Sequence, residues 1–209
     1  MTPDSVIVRQ ALIHAFAMVA RPVILEYFPP RSCITSTRIA IECLKAFGIE
    51  ARPVPCEFYL HIPSLKLLYM SGVSAEDKAR HRATANELIE LKTVDGSEGW
   101  PGHLVAVADL FWIDASFDQA FFAFREAGKL DVGAEPSQIN VLELPNTPGP
   151  EFDLSERGET EDGHEVKIRY LSTGNDSFLK CQAWDTDDLQ IPIFRIIRRM
   201  KRYLKGEIQ

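Results

Sequence analysis

Residues 29–62 constrain the fold of this 209-residue chain more than any other stretch. Pro29-Pro30 block helical geometry, Ser32 is a suitable N-cap, and an apolar segment from Cys33 to about Phe47 is closed by Gly48. Within that segment Thr35, Arg38, Glu42 and Lys45 recur at spacings of three, four and three. They form one narrow polar stripe, so nearly every other position of the helix faces protein. From Arg52 to Ile62 the period changes to two. Val54, Cys56, Phe58, Leu60 and Ile62 alternate with Pro55, Glu57, Tyr59 and His61, the pattern of a strand with one buried face. The inward side of the helix, which carries Cys33, is where partner strands would lie.

An apolar content of 45% supports one core-burying domain with an appended piece. The formal charge of −7 argues against a nucleic-acid footprint over the whole chain, because neutralising phosphates needs concentrated positive surface. Cys33, Cys43, Cys56 and Cys181 form no CxxC and no short cluster with histidine, so they read as reduced thiols and no metal is expected. Residues 11–25 are apolar but contain His14, Arg21 and Pro22 and lack a positive leader. The expectation is therefore no membrane span, no signal peptide and a cytoplasmic location.

Further along, residues 4–20 predict a helix ended or bent at Arg21-Pro22. Residues 63–99 read as an insertion that could cover a cleft. Ser74-Ala75-Glu76-Asp77 caps a helix there reaching about Lys92, with a loop over 95–99. Runs at 103–108 and 111–116 flank Asp109-Leu110 as a tight hairpin. The Pro-, Gly- and acid-rich segment 146–165 predicts an exposed connection, after which 166–171 and 178–184 predict a second hairpin and 192–204 a final helix. The expected organisation is a core over 1–145, an acidic connection over 146–165, and a C-terminal hairpin and helix over 166–209 docked on the core.

Cys33, His103 and Asp114 are the candidates for chemistry. A thiol at a helix N-terminus meets unpaired N–H groups that favour its thiolate, and Cys33 lies on the inward side of its helix with Thr37, Ala40 and Leu44. A two-residue turn at Asp109-Leu110 puts His103 opposite Ser116 and diagonal to Asp114, all on one face; a three-residue turn would flip Asp114 away. Asp114 then orients the imidazole, His103 moves the thiol proton, and Cys33 attacks a carbonyl carbon to give a thioester. The plain structural alternative is a packed cysteine, a hydrogen-bonding strand histidine and a strand-end aspartate.

The order of these residues resembles the transglutaminase-like superfamily. The run from Cys33 through Ala46-Phe47-Gly48-Ile49-Glu50-Ala51-Arg52 to Pro55 is similar to its Cys-headed helix and following turn, and Gly102-His103-Leu104-Val105 and Trp112-Ile113-Asp114 to its His and Asp strands. His103-Leu104-Val105 and Ile113-Asp114-Ala115-Ser116-Phe117 are also similar to arylamine N-acetyltransferases. The resemblance covers roughly residues 30–120. It implies an α+β fold with a papain-like core, a Cys-headed helix on an antiparallel sheet, with Cys33 as nucleophile, His103 as general base and acid, and Asp114 as orienting carboxylate. No glutamine stands just upstream of Cys33, so oxyanion stabilisation falls to backbone N–H groups or to Tyr27, with Ser32 and Ser116 as further cleft candidates. No cofactor is expected unless the chain is acetyltransferase-like, in which case coenzyme A would serve. The implied function is amide hydrolysis or acyl transfer on a peptide, protein or small-molecule amide. The alternative is a non-catalytic binding or scaffold module of the same fold.

Residues 192–205 carry Arg195, Arg198, Arg199, Lys201, Arg202 and Lys205 interleaved with Ile193, Ile196, Ile197, Met200 and Leu204. A basic amphipathic helix either engages a membrane, nucleic acid or an acidic partner, or docks on its own protein with a solvated cationic face.

Overall fold

A computed structural model describes residues 3–30, 32–82, 87–89, 100, 102–130, 139–144, 146, 151–160, 162–186 and 188–208. The fold is α+β, with helices against an eight-stranded mixed sheet. Helix α1 (Pro3–Tyr27) continues past Arg21-Pro22 and does not end there, where an end or a bend was expected. An interior proline costs about 3 kcal/mol in lost hydrogen bonding and sterics. Here Val19, Ala20, Val23 and Ile24 are buried on both sides of it and Arg21 is fixed to Asp118, so packing outweighs the local cost.

Helix α2 (Cys33–Lys45) begins at the predicted residue. Ser32 holds the cap position, but its hydroxyl donates to the Pro29 carbonyl at 2.8 Å instead of capping the helix. Gly48, at φ +74°, turns the chain towards β1 (Arg52–Ile62). This strand is the spine of the sheet, pairing antiparallel with β2 (Leu67–Ser71), β4 (His103–Ala108) and β8 (Glu165–Ser172).

Several sequence expectations give way here. Strand β2 was not anticipated, because Leu67 to Met70 are all buried and show no alternation. Helix α3 (Ala75–Arg82) ends well before Lys92, and β3 (Glu87–Ile89) follows, parallel to β2. Helix α3 buries no residue, so nothing anchors an extension, whereas Ile89 is buried at the sheet edge. Lys92 and the loop expected over 95–99 lie outside the described residues.

Strand β5 (Phe111–Asp114) pairs with β4 and with β6 (Asn140–Glu143), and α4 (Gln119–Glu126) lies between β5 and β6 in the chain. The segment expected as an exposed connection contains β7 (Asp153–Glu159), which pairs along its length with β8. Its acidic composition hid it. Cross-strand partners compensate: Arg169 bonds Asp153 through two nitrogens, and Arg157 lies 3.3 Å from Glu165. The hairpin expected between 166–171 and 178–184 is therefore not formed. Strand β8 takes β7 and β1 as partners, while Asp176–Lys180 is a 3-10 turn and Gln182–Asp185 is the short helix α5. The C-terminal part is thus woven into the central sheet before it ends in α6 (Gln190–Leu204).

Two cores flank the sheet. Helices α1, α2 and α6 cover one face through Phe16, Ile24, Ile39, Leu44, Ile196 and Met200, against Ala106, Phe111 and Ile113. Phe58, Val105, Trp112, Tyr170 and Phe124 of α4 fill the other. The sheet curls around this second core far enough for Asn140 on β6 to bond Glu156 on β7 at 3.3 Å.

Candidate active site

The β4–β5 hairpin turns on Asp109-Leu110, with Ala108 opposite Phe111, Val107 opposite Trp112 and Ala106 opposite Ile113. Asp109 takes φ +52°, a region aspartate tolerates better than most residues, and an ion pair to Arg9 holds its carboxylate. This register puts His103 and Asp114 on one face, and His103 Nε2 lies 2.7 Å from Asp114 Oδ2. Both side chains are fully buried. Asp114 also accepts from the Tyr170 hydroxyl at 3.0 Å and from the Ser116 N–H and hydroxyl at 3.0 and 3.2 Å. Four donors satisfy the carboxylate and fix its plane, which in turn fixes the imidazole.

Phe58 stacks on the His103 ring at 4.7 Å and on Tyr170 at 5.2 Å, closing the site from the sheet side. Burial by itself would pull the His103 pKa down. The charge of Asp114 and its hydrogen bond, helped by the nearby Cys33 sulfur, outweigh burial and raise it to about 10. Burial, reinforced by Asp114 and Cys33, pushes neighbouring Cys56 well above the ordinary thiol range; it donates to the His103 carbonyl at 3.5 Å and stays a thiol.

Cys33 meets this ring from the helical side. Its sulfur sits 4.0 Å from the Gly102 carbonyl, next to His103, and its helix is held on β4 by the Thr37 hydroxyl donating to the Leu104 carbonyl at 2.7 Å. Around it Ile34, Leu104, Phe178, Trp100 and Trp184 form an apolar cluster. Cys33, His103 and Asp114 thus converge. The three accessory candidates have other occupations. Tyr27 accepts from Arg195 at 2.9 Å, the Ser32 hydroxyl is used by Pro29, and Ser116 supports Asp114.

Sequence reasoning missed four residues that shape the site. Gln119, buried at the start of α4, places its carboxamide 2.6 Å from His103 Nδ1. With Nε2–H donated to Asp114, Gln119 donates to Nδ1 of neutral imidazole; imidazolium requires it to present its carbonyl oxygen instead. Beside it Asp118 and Arg21 form a fully buried two-point ion pair, and Arg21 also donates to the Pro30 carbonyl at 3.3 Å. One cation therefore ties α1 to the segment before Cys33 and to the residue before Gln119. Burial lifts the Asp118 carboxyl to about 6, with Arg21 opposing and Asp114 adding to the rise. Arg21 had left a signal, since a cation inside an apolar helix demands a partner. Tyr170 showed as an inward position of an alternating strand. Gln119 left none.

The constellation can hold a proton on His103 beside a sulfur and orient the ring by a saturated carboxylate, the requirements for nucleophilic sulfur chemistry. Among the described residues no group of three or more histidines, cysteines and carboxylates is placed to hold a metal ion. No family model matches the chain, and neither a curated protein nor a solved structure matches it.

Proposed function

We propose that this protein is a cysteine-dependent acyl-transfer or amide-hydrolysing enzyme of papain-like, transglutaminase-like type. The observation that carries the reading is the fully buried His103–Asp114 pair at 2.7 Å meeting the thiol that heads α2. In the proposed cycle His103 already holds the thiol proton at neutral pH, and the Cys33 thiolate bonds to the substrate carbonyl carbon. The tetrahedral oxyanion then collapses, the C–N bond breaks, and the imidazolium gives its proton to the departing amine. Water or an amine attacks the resulting thioester, loses a proton to His103, and releases Cys33 as a thiolate beside the imidazolium. A thioester donor such as acetyl-coenzyme A would enter by the same first step with a thiol as leaving group.

One observation favours a second reading, a binding module of the same fold. Both ring nitrogens of His103 have partners, Asp114 on one side and Gln119 on the other. Turnover requires Gln119 to give up Nδ1 or to turn its amide.

Iodoacetamide labelling tests both. An active site labels Cys33 at about pH 6 nearly as fast as at pH 8, and His103→Ala slows this by roughly 100-fold. Cys33→Ala abolishes it. A panel of acyl donors with hydroxylamine capture then identifies the substrate class. Labelling that rises tenfold per pH unit, like a free thiol, in both wild type and Gln119→Ala, sinks the enzyme and leaves the module.

A further inference from the structure

Helix α6 and its C-cap Lys205 carry six cations and no acid between Gln190 and Lys205, in a chain of net charge −7. Its buried side, Pro192, Ile196 and Met200, packs into the core, which accounts for half of its amphipathic pattern. The outward side is Ile191, Phe194, Arg198, Lys201 and Lys205, spaced as one helical stripe. Ile191 is 64% and Phe194 68% exposed, although both are large and apolar. Arg195 is paired with Glu26, and Arg202 and Lys205 approach Glu207 at 3.4 and 3.9 Å. Arg198, Arg199 and Lys201 have no acidic partner among the described residues.

Helix α1 lies alongside and antiparallel, as the Arg195–Glu26 pair and the His14–Tyr203 ring contact at 6.1 Å require. Its outward stripe is Ile7, Ala11, His14, Met18 and Pro22, without a carboxylate or a permanent cation. Ile7 is 64% and Met18 52% exposed. The two helices therefore present a composite face, apolar along α1 and at the start of α6, cationic along the rest of α6.

We propose that this face is a docking surface for an anionic lipid bilayer, with α1 and α6 lying flat in the headgroup region. Charge complementarity selects an anionic partner, and the apolar part selects a membrane over a nucleic acid. A phosphate backbone would take up the arginines and leave Phe194, Ile191 and Met18 in water, whereas the boundary between headgroups and acyl chains accepts both. The proposal concerns surface binding, without a span, since the opposite sides of both helices are in the protein core. It does not depend on Cys33.

Vesicle co-sedimentation of the full chain tests it. Vesicles of phosphatidylcholine with about 30% phosphatidylserine should bind the wild type and the Cys33→Ala variant alike, and phosphatidylcholine alone should bind roughly tenfold or more weakly. Arg198→Glu/Lys201→Glu should lower binding by at least about tenfold, and added salt should weaken it. Ile191→Ser/Phe194→Ser should lower it about tenfold as well, with an unchanged melting curve, because both side chains are exposed. Equal binding to both vesicle types overturns the proposal, as does vesicle binding insensitive to Ile191→Ser/Phe194→Ser. Tighter binding to a single-stranded oligonucleotide, unaffected by that double change, also overturns it and makes the face a nucleic-acid surface.

Discussion

Replacing Arg21 by methionine removes the cation that joins α1, the segment before Cys33 and the start of α4, while keeping most of the side-chain volume. Asp118 is then a buried carboxylate without its partner, and breaking such a pair costs about 3–5 kcal/mol. The cost is tied to pH. In the wild type Asp118 is raised from 3.8 to about 6, so the proton it retains on folding stabilises the fold below the ordinary carboxyl range, and this contribution is lost as pH rises through about 6. Without Arg21 the carboxyl holds its proton to higher pH. Above pH 6 the variant's Asp118 therefore costs stability at up to about 1.4 kcal/mol per pH unit, whereas the wild type's Asp118 adds no further loss. Between about pH 6 and 8 the penalty should grow by roughly 3 kcal/mol. Urea unfolding at the two pH values, with the m-value checked for constancy, reads this directly. The double variant Arg21→Met/Asp118→Leu should recover most of the loss, because it leaves no unpaired charge. A penalty below about 1 kcal/mol at pH 8, or one that does not change with pH, refutes the role assigned to the pair.

His103 should make stability fall with rising pH. Its folded pKa is raised from 6.5 to about 10, so its stabilisation is complete below the ordinary value and is lost as pH climbs towards 10; Asp114→Asn should flatten that slope between about pH 7 and 9 in urea titrations. Gly72→Ala should destabilise by about 1–3 kcal/mol, because Gly72 holds φ +80° and an added Cβ would lie 2.9 Å from the Cys56 carbonyl and 3.3 Å from the Gly102 Cα. Thermal melting measures that cost, and altered Cys33 labelling in the variant would register the disturbance beside His103.

The helix headed by Cys33 was legible because local chemistry determines it: two prolines forbid helix before it, the apolar faces continue through it, and a glycine ends it. Strand β1 was legible for an equally local reason, a period of two bounded by turns. The closeness of His103 and Asp114 was also encoded locally, since two-residue turns fix register and register fixes faces. Local signals failed where partners decide structure. Nothing in the acidic run of β7 announces a strand, because its stability comes from Arg169 across the ladder and from β8, which joins it to β1. Pro22 read as a helix stop because its cost is local, while the packing and the ion pair that overrule it come from residues far along the chain.

The sequence by itself determined the α+β class, the start of the Cys33 helix and the shared face of the His103–Asp114 hairpin. Tertiary structure alone decided that Tyr170 and Gln119 complete the imidazole's surroundings, and that Arg21 anchors the segment before Cys33. The partners of Tyr170, Gln119 and Arg21 come from other elements of the fold, so a sequence can show that a buried polar group needs a partner but only the closing of the fold decides which one comes within hydrogen-bond reach.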